Sequence, residues 1–167
     1  MSTIRQLTPD DWQVWRALRL AALTEAPYAF GSRLGDHQGD NDQEERWRER
    51  LELPGSYNLA AYLNGRPVGM VRGVPTDDAD VVGLFSMWVD PAARGHRVGD
   101  DLVAAVLTWA RDRGAGAVCL HVAEDNEAAI RLYRRHGFAF TGEAELMPDG
   151  QRRELAMSMT LRATDRP

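Results

Sequence analysis

The sequence predicts an α/β fold: a mixed β-sheet with helices on both faces, built in the order β-α-α-β-β-β-α-β-α-β-β. Three observations carry this. Short segments alternate apolar and polar residues or run apolar without a break, longer segments repeat apolar residues at helical spacing, and the two kinds are interleaved along the chain. Turn chemistry separates them, most clearly at Asn64-Gly65 and Pro148-Asp149-Gly150. No repeat, low-complexity tract or linker divides the 167 residues, so 1–167 reads as a single domain with enough chain for its own core.

Taken in order, Thr3 to Leu7 alternates and reads as a strand. Thr8-Pro9-Asp10-Asp11 then opens a helix, with Thr8 as N-cap, Pro9 at the first position and acids in the first turn. Trp12, Trp15, Leu18 and Ala22 give that helix an apolar face. Glu25 to Asp42 is a long irregular connection. Gln43 to Leu53 is a second helix, stopped by Pro54-Gly55. "YNLAAYL" and "PVGMVRGV" are strands joined by a type I′ hairpin at Asn64-Gly65. "DVVGLFSMWV" is a strand, followed by an Arg/Gly-rich loop and a helix, and "AVCLHV" is a buried strand. "NEAAIRLYRRHGF" is a short helix with Gly137 at the left-handed stop and Phe138 as its hydrophobic contact. Two strands flanking Pro148-Asp149-Gly150 complete the sheet.

Composition narrows the function. Hydrophobic residues are 44% and charged residues 27%, the profile of a soluble globular protein. A net charge of −5 argues against nucleic acid as a partner. No apolar run is long enough to span a bilayer, and the N-terminus has no apolar stretch of the secretory kind. Cys119 is the single cysteine, which excludes an internal disulfide and fits a reducing compartment, so a cytoplasmic location is expected. All the basic residues are arginine, which excludes any mechanism built on a lysine.

The segment "VDPAARGHRVGDDLVAAVLTWARDRG", Val89 to Gly114, carries the first chemical signal. It reads as a strand end, a tight loop and a helix. A Walker loop needs Gly-Lys-Ser/Thr and a dinucleotide loop needs G-x-G-x-x-G; neither matches. The physics remains: a helix N-terminus has unpaired N–H groups and partial positive charge, Gly95 and Gly99 permit close approach, and Arg94 and Arg97 add charge. The second signal is the short helix, where Asn126, Ala129, Ile130 and Tyr133 lie on one face.

V-x-P-x-x-R-G-x-x-x-G over Val89 to Gly99, followed by N-x-x-A-x-x-x-Y-x-x-x-G-F over Asn126 to Phe138, resembles the GNAT superfamily of acyl-CoA-dependent N-acetyltransferases. The resemblance is strong from Asp80 to Phe138 and weak over the first 55 residues, where the acceptor would bind. It implies a GNAT-like sheet and acetyl-CoA as cosubstrate, with no metal. It implies that the backbone N–H groups of Arg94, Gly95, His96, Arg97, Val98 and Gly99 bind the pyrophosphate of coenzyme A. Met87, Trp88 and Val89 would pair with the pantetheine amides like a strand edge. Asn126 would lie near the pantetheine arm, and Tyr133 would point at the thioester sulfur. Arg97 departs from the family loop, Q/R-x-x-G-x-G/A, by replacing its first glycine. It still presents its N–H if its φ is negative, as in a first helical turn. Its side chain then either swings to solvent or folds back onto a phosphate.

The implied chemistry is direct attack by a primary amine in a ternary complex. The departing thiolate has a conjugate-acid pKa of about 8.5, and a tyrosine of pKa about 10 is protonated at neutral pH and suits the general acid. The amine must lose its proton. Glu154, beyond the last hairpin, and His121 are candidates for the base, each with a plain structural alternative: a sheet-edge charge for Glu154, a hydrogen-bonded core residue for His121. Cys119 is either an acyl carrier or, as the commoner role, a small buried hydrophobe. Tyr28 and Phe30 either line the acceptor pocket or anchor their loop. The acid-rich run Gly35 to Glu45 either draws a cationic acceptor or is a solvated surface. The acceptor is a small-molecule amine or a protein or peptide amine, and a homodimer is compatible with the sequence. The alternative is a non-catalytic acyl-CoA-binding sensor.

Overall fold

The computed structural model describes residues 2–27, 34–147 and 150–161. Its elements are β1 (Thr3–Gln6), α1 (Trp12–Glu25), α2 (Glu44–Leu51), β2 (Tyr57–Leu63), β3 (Arg66–Pro75), β4 (Val81–Val89), α3 (Val98–Asp112), β5 (Ala117–Ala123), α4 (Glu127–Arg135), β6 (Ala139–Leu146) and β7 (Arg153–Thr160). This is the expected order. The boundaries move where the turn chemistry is stronger than the periodicity. Pro9–Asp11 is a 3-10 turn ahead of α1, closed by the Thr8 N–H donating to the Asp11 carboxylate at 2.8 Å. α2 ends at Leu51, before Pro54 is reached. The connection after α1 contains 3-10 turns at Leu34–His37 and Gly39–Asn41.

The strands form one seven-stranded sheet in the order β1-β2-β3-β4-β5-β7-β6. Every neighbouring pair is antiparallel except β4 and β5. The β2–β3 hairpin turns as its sequence demands, with φ of 51° at Asn64 and 80° at Gly65. Strand residues alternate between two cores. Leu59, Ala61 and Val71 face a cluster with Val98, Leu102 and Val106 of α3 and Tyr133 of α4. Ala60, Met70 and Trp88 face Trp15, Leu18 and Ala22 of α1 and Trp47 and Leu51 of α2. Helices therefore cover both faces, and a one-residue slip of any central strand would exchange the two sets. Among the described residues no helix is long and apolar enough to cross a membrane.

Two backbone features open the centre of this sheet. β4 pairs with β5 only from Val81 to Gly83, opposite Ala117 to Cys119, and the two strands then part. On its other side β4 holds one residue more than β3 between the pairs Arg72↔Phe85 and Met70↔Trp88. Ser86, with φ of 56°, sits in that bulge. Gly69 lets α3 approach: a Cβ there would lie 3.0 Å from Trp88 O and 3.1 Å from Leu102 Cδ1.

Candidate active site

The loop after β4 begins as an Asx-type turn, in which Asp90 accepts from the Ala92 N–H at 2.9 Å. It ends at Arg97, the N-cap of α3. The Arg94 N–H, expected to face the pyrophosphate, instead donates to Pro91 O at 3.3 Å. From Gly95 through His96, Arg97, Val98 and Gly99 to Asp100 in the first turn of α3, the N–H groups have no acceptor among the described residues. A consecutive run of free N–H groups at a helix start is an anion-binding concavity. The loop reaches this shape through left-handed residues: φ is 89° at Gly95, and Arg97 has φ 61° and ψ 22°. The negative φ expected for Arg97 is therefore corrected. The chain turns into α3 through a left-handed residue, the conformation that glycine adopts without strain, so the family glycine at this point has a backbone reason.

A cleft of about 590 Å³ lies over this loop. Met87, Trp88, Val89, Arg94, Gly95, Arg97, Val98 and Gly99 line it, as does Asn126. Gly99 belongs to the first turn of α3, where a Cβ would come within 3.1 Å of Leu132 Cδ2 and 3.3 Å of Met87 Cε. His96 is not among the lining residues; its ring nitrogen turns back to Ala93 O at 3.1 Å. Arg94 lines the cleft but is held from behind: Nη2 donates to Glu25 Oε1 at 2.7 Å and Nε to Val89 O at 3.1 Å. Arg131 and Arg135 of α4 also line the cleft, and Arg135 pairs with Asp100 at 3.1 Å. Neither arginine stands out in the sequence; their four-residue spacing on the cleft side of α4 was the available signal.

Asn126 caps α4, its side chain accepting from the Ala129 N–H at 3.2 Å. The helix closes as expected, with Gly137 at φ 101° and the Phe138 N–H donating to Tyr133 O at 3.1 Å. Tyr133 is 5% exposed and lies beneath the cleft, its ring 5.8 Å from that of Phe138. It is not among the lining residues, although its neighbours Ala129 and Leu132 are. Burial pushes its phenol well above the ordinary range, so it holds its proton at every physiological pH. The hydroxyl has no hydrogen-bond partner among the described residues.

The remaining candidates separate. Glu154 pairs with Ala123 across β5–β7, and His121 with Ala156, so both side chains point away from the α3 face, toward the side that carries α1 and α2. His121 is exposed, which corrects the core reading of that residue. Cys119 is half-buried, and burial raises its thiol above the ordinary value, which opposes a thiolate nucleophile. Tyr28 and Phe30 lie outside the described residues. In the acid-rich run, Asp42 accepts from Arg16 Nε and from Trp47 Nε1, each at 2.8 Å, and Glu44 accepts from Arg48 at 2.8 Å. Those carboxylates serve their neighbours. Among the described residues no group of His, Cys, Asp or Glu is gathered to hold a metal ion.

Fold and site together define a class: α/β proteins whose central sheet parts beside a helix N-terminus, so that strand edge and free N–H groups face one cleft. The sequence profile of the Acetyltransferase (GNAT) family matches residues 15–138, and the chain belongs to that family. It is 33% identical over 139 residues to mycothiol acetyltransferase of Salinispora tropica, covering 82% of this chain and 44% of that protein. The chain thus spans less than half the length of that relative. It is 30% identical over 146 residues to aminoglycoside N(6')-acetyltransferase type 1 of Stenotrophomonas maltophilia, covering 83% of this chain and 87% of that one. In structure it resembles yncA of Salmonella typhimurium, solved with its cofactor acetyl-CoA, with a TM-score of 0.79, 24% identity and coverage of 100% and 98% of the two chains. Ribosomal-protein-alanine N-acetyltransferase of Brucella melitensis matches with a TM-score of 0.79, 25% identity and coverage of 95% and 99%.

Proposed function

We propose that the protein transfers an acetyl group from acetyl-CoA to a primary amine, by direct attack within a ternary complex. The observation that carries this reading is the run of free N–H groups from Gly95 to Asp100 at the mouth of a cleft whose far wall is the parted edge of β4. These residues fit coenzyme A. The N–H run and Arg97 hold the pyrophosphate, Arg131 and Arg135 add positive charge, and the edge of β4 at Met87, Trp88 and Val89 offers main-chain hydrogen bonds to an extended amide-bearing arm. Asn126 keeps α4 in place beside that arm. Acetyl-CoA supplies an activated acyl group on a good leaving thiolate.

Tyr133 is the proton donor to the departing sulfur. Burial keeps the phenol protonated until the thiolate develops, and because the same burial disfavours the tyrosinate left behind, Tyr133 takes a proton back from solvent once the thiol has left. Glu154 takes the proton of the incoming ammonium, directly or through water, from the opposite side of the sheet. The acceptor is a small-molecule amine or a peptide amine, and the reaction proceeds in the cytoplasm. Thiol release from acetyl-CoA, measured against a panel of amines and peptides, tests this. Acceptor-dependent release is the expected result. Saturable coenzyme A binding with no release on any acceptor would leave a sensor module instead.

A further inference from the structure

Three arginines from three elements meet on the α1/α2 face. Arg19 comes from α1, Arg50 from α2 and Arg72 from β3, with His37 beside them. Arg72 donates through Nε to Asn58 Oδ1 at 2.8 Å and through Nη2 to Arg50 O at 2.9 Å, and its guanidinium lies over the Trp15 ring at 5.8 Å. Arg50 Nη2 contacts His37 Nδ1 at 3.0 Å and its guanidinium covers the Trp47 ring at 4.8 Å. Arg19 Nη1 donates to Ser86 Oγ at 3.4 Å.

Gathering like charges in a half-buried place is unfavourable. The cost is visible at Arg19, whose pKa is held down to about 10, first by burial and then by Arg50 and Arg72. Arg72 is lowered by burial and by Arg50. Neither Arg50 nor Arg72 forms an ion pair with a carboxylate among the described residues. Two buried donors face no acceptor there either: Arg50 Nη1 and His37 Nε2, the histidine being 5% exposed. Arg50 and Arg72, without a carboxylate ion pair among the described residues, and the orphan donors Arg50 Nη1 and His37 Nε2 beside them mark a place that an anion would complete. Asp36 and Glu49 are the acids that act on His37 and Arg50 there.

Its position says whose anion. Ser86, which Arg19 touches, is the bulged residue of β4, and Arg72 stands opposite Phe85 in the adjoining register. The cluster therefore abuts the point where the sheet parts, on the face opposite α3 and toward the side faced by Glu154 and His121. We infer that Arg19, Arg50, Arg72 and His37 seat a carboxylate carried by the acceptor, so that the substrate is an amine bearing an acid group, an amino-acid-like zwitterion and not a polycation. This deepens the acetyltransferase reading and rests on it.

The test measures thiol release from acetyl-CoA with the proteinogenic amino acids, each as the free acid and as its carboxamide, and with spermidine and glucosamine as cationic amines. At least one free acid is expected to exceed its carboxamide in kcat/KM by about ten- to a hundredfold, the range for a hydrogen bond to a charged group. Arg72→Met and Arg50→Met should each remove that preference while the KM for acetyl-CoA is retained, and melting curves will show that both variants are folded. Preference for the carboxamides or the cationic amines would overturn the seat and leave the transferase reading intact. Should nothing be acetylated, the transferase reading fails for these acceptors, and calorimetry judges the seat alone. Binding of N-acetylglycine over N-acetylglycinamide, lost in both variants, would support it, and equal binding of the two would overturn it. Tighter binding of inorganic phosphate than of N-acetylglycine would overturn the assignment to a carboxylate.

Discussion

Arg94 is tied to Glu25: the residue just ahead of the free N–H run is held at 2.7 Å by the last residue of α1. The same carboxylate oxygen accepts from Trp88 Nε1 at 3.0 Å, so one acid fixes both the loop and the end of β4. The two contacts differ in worth. The Arg94 side chain is 51% exposed, and an ion pair of that kind contributes no more than about 1 kcal/mol. Trp88 is buried, and an indole N–H left without an acceptor costs about 1–3 kcal/mol. Urea unfolding should therefore show Glu25→Ala to be clearly less stable than Arg94→Ala. Equal losses would mean that the indole bond contributes little.

Arg97 combines two effects that substitutions separate. Its left-handed backbone costs a non-glycine residue about 1–2 kcal/mol, and its exposed guanidinium lines the cleft. Arg97→Gly should be more stable than Arg97→Ala by about 1 kcal/mol, because alanine keeps the strain. Both variants should bind acetyl-CoA about tenfold more weakly than the parent at low salt, with the gap narrowing at high salt as an exposed charge is screened. Calorimetry at two ionic strengths, beside denaturant curves, checks both halves. Unchanged affinity in Arg97→Ala would leave the backbone as sole holder of the anion.

Tyr133→Phe isolates a single hydroxyl. With no partner for that hydroxyl among the described residues, its loss should alter stability by less than about 1 kcal/mol. Turnover should fall by roughly 10²–10⁴-fold, as for a lost general acid, with little change in acetyl-CoA affinity. A variant with parental turnover would remove Tyr133 from the mechanism and leave it a core residue.

His37 links the cationic cluster to pH. Burial first, then Arg50 and Arg19, lower its pKa from the ordinary 6.5, with Asp36 opposing. In the folded state the ring resists protonation, so the unfolded chain binds more protons as pH falls. The stability that follows is complete above pH 6.5 and is lost as pH drops below it. His37→Gln should flatten the decline of unfolding free energy between about pH 6.5 and pH 5. An unaltered slope would place the acid sensitivity elsewhere.

The sequence carried the order of the elements because each is signalled locally: Asn64-Gly65 for a hairpin, Gly137-Phe138 for a helix end, Thr8 and Asp11 for a helix start. The cleft was legible for the same reason, since Val89 to Gly99 and Asn126 to Phe138 are contiguous motifs. What escaped has no local signature. Ser86 enters the left-handed region without being a glycine, because the bulge in β4 demands it. Glu25 meets Arg94 across 69 positions of chain, and Arg19 meets Ser86 across 67. The sequence ties the free N–H of Arg97 to a negative φ, as in a first helical turn; the chain instead turns through a left-handed Arg97 before α3 starts, and the N–H is free all the same.

A sheet has two outer rims, here β1 and β6. The separation of β4 from β5 after Gly83 and Cys119 gives this one an inner seam as well. Along the seam, main-chain groups of β4 between Leu84 and Val89 face a gap instead of β5. Outer rims invite other chains and must be protected from fibril growth. A seam flanked by α3 and α4 excludes a whole strand but admits a slender molecule that carries its own amides. On the acetyl-CoA reading proposed above, the pantetheine arm would take strand-like pairing along this seam, and amide exchange there should slow when acetyl-CoA is bound.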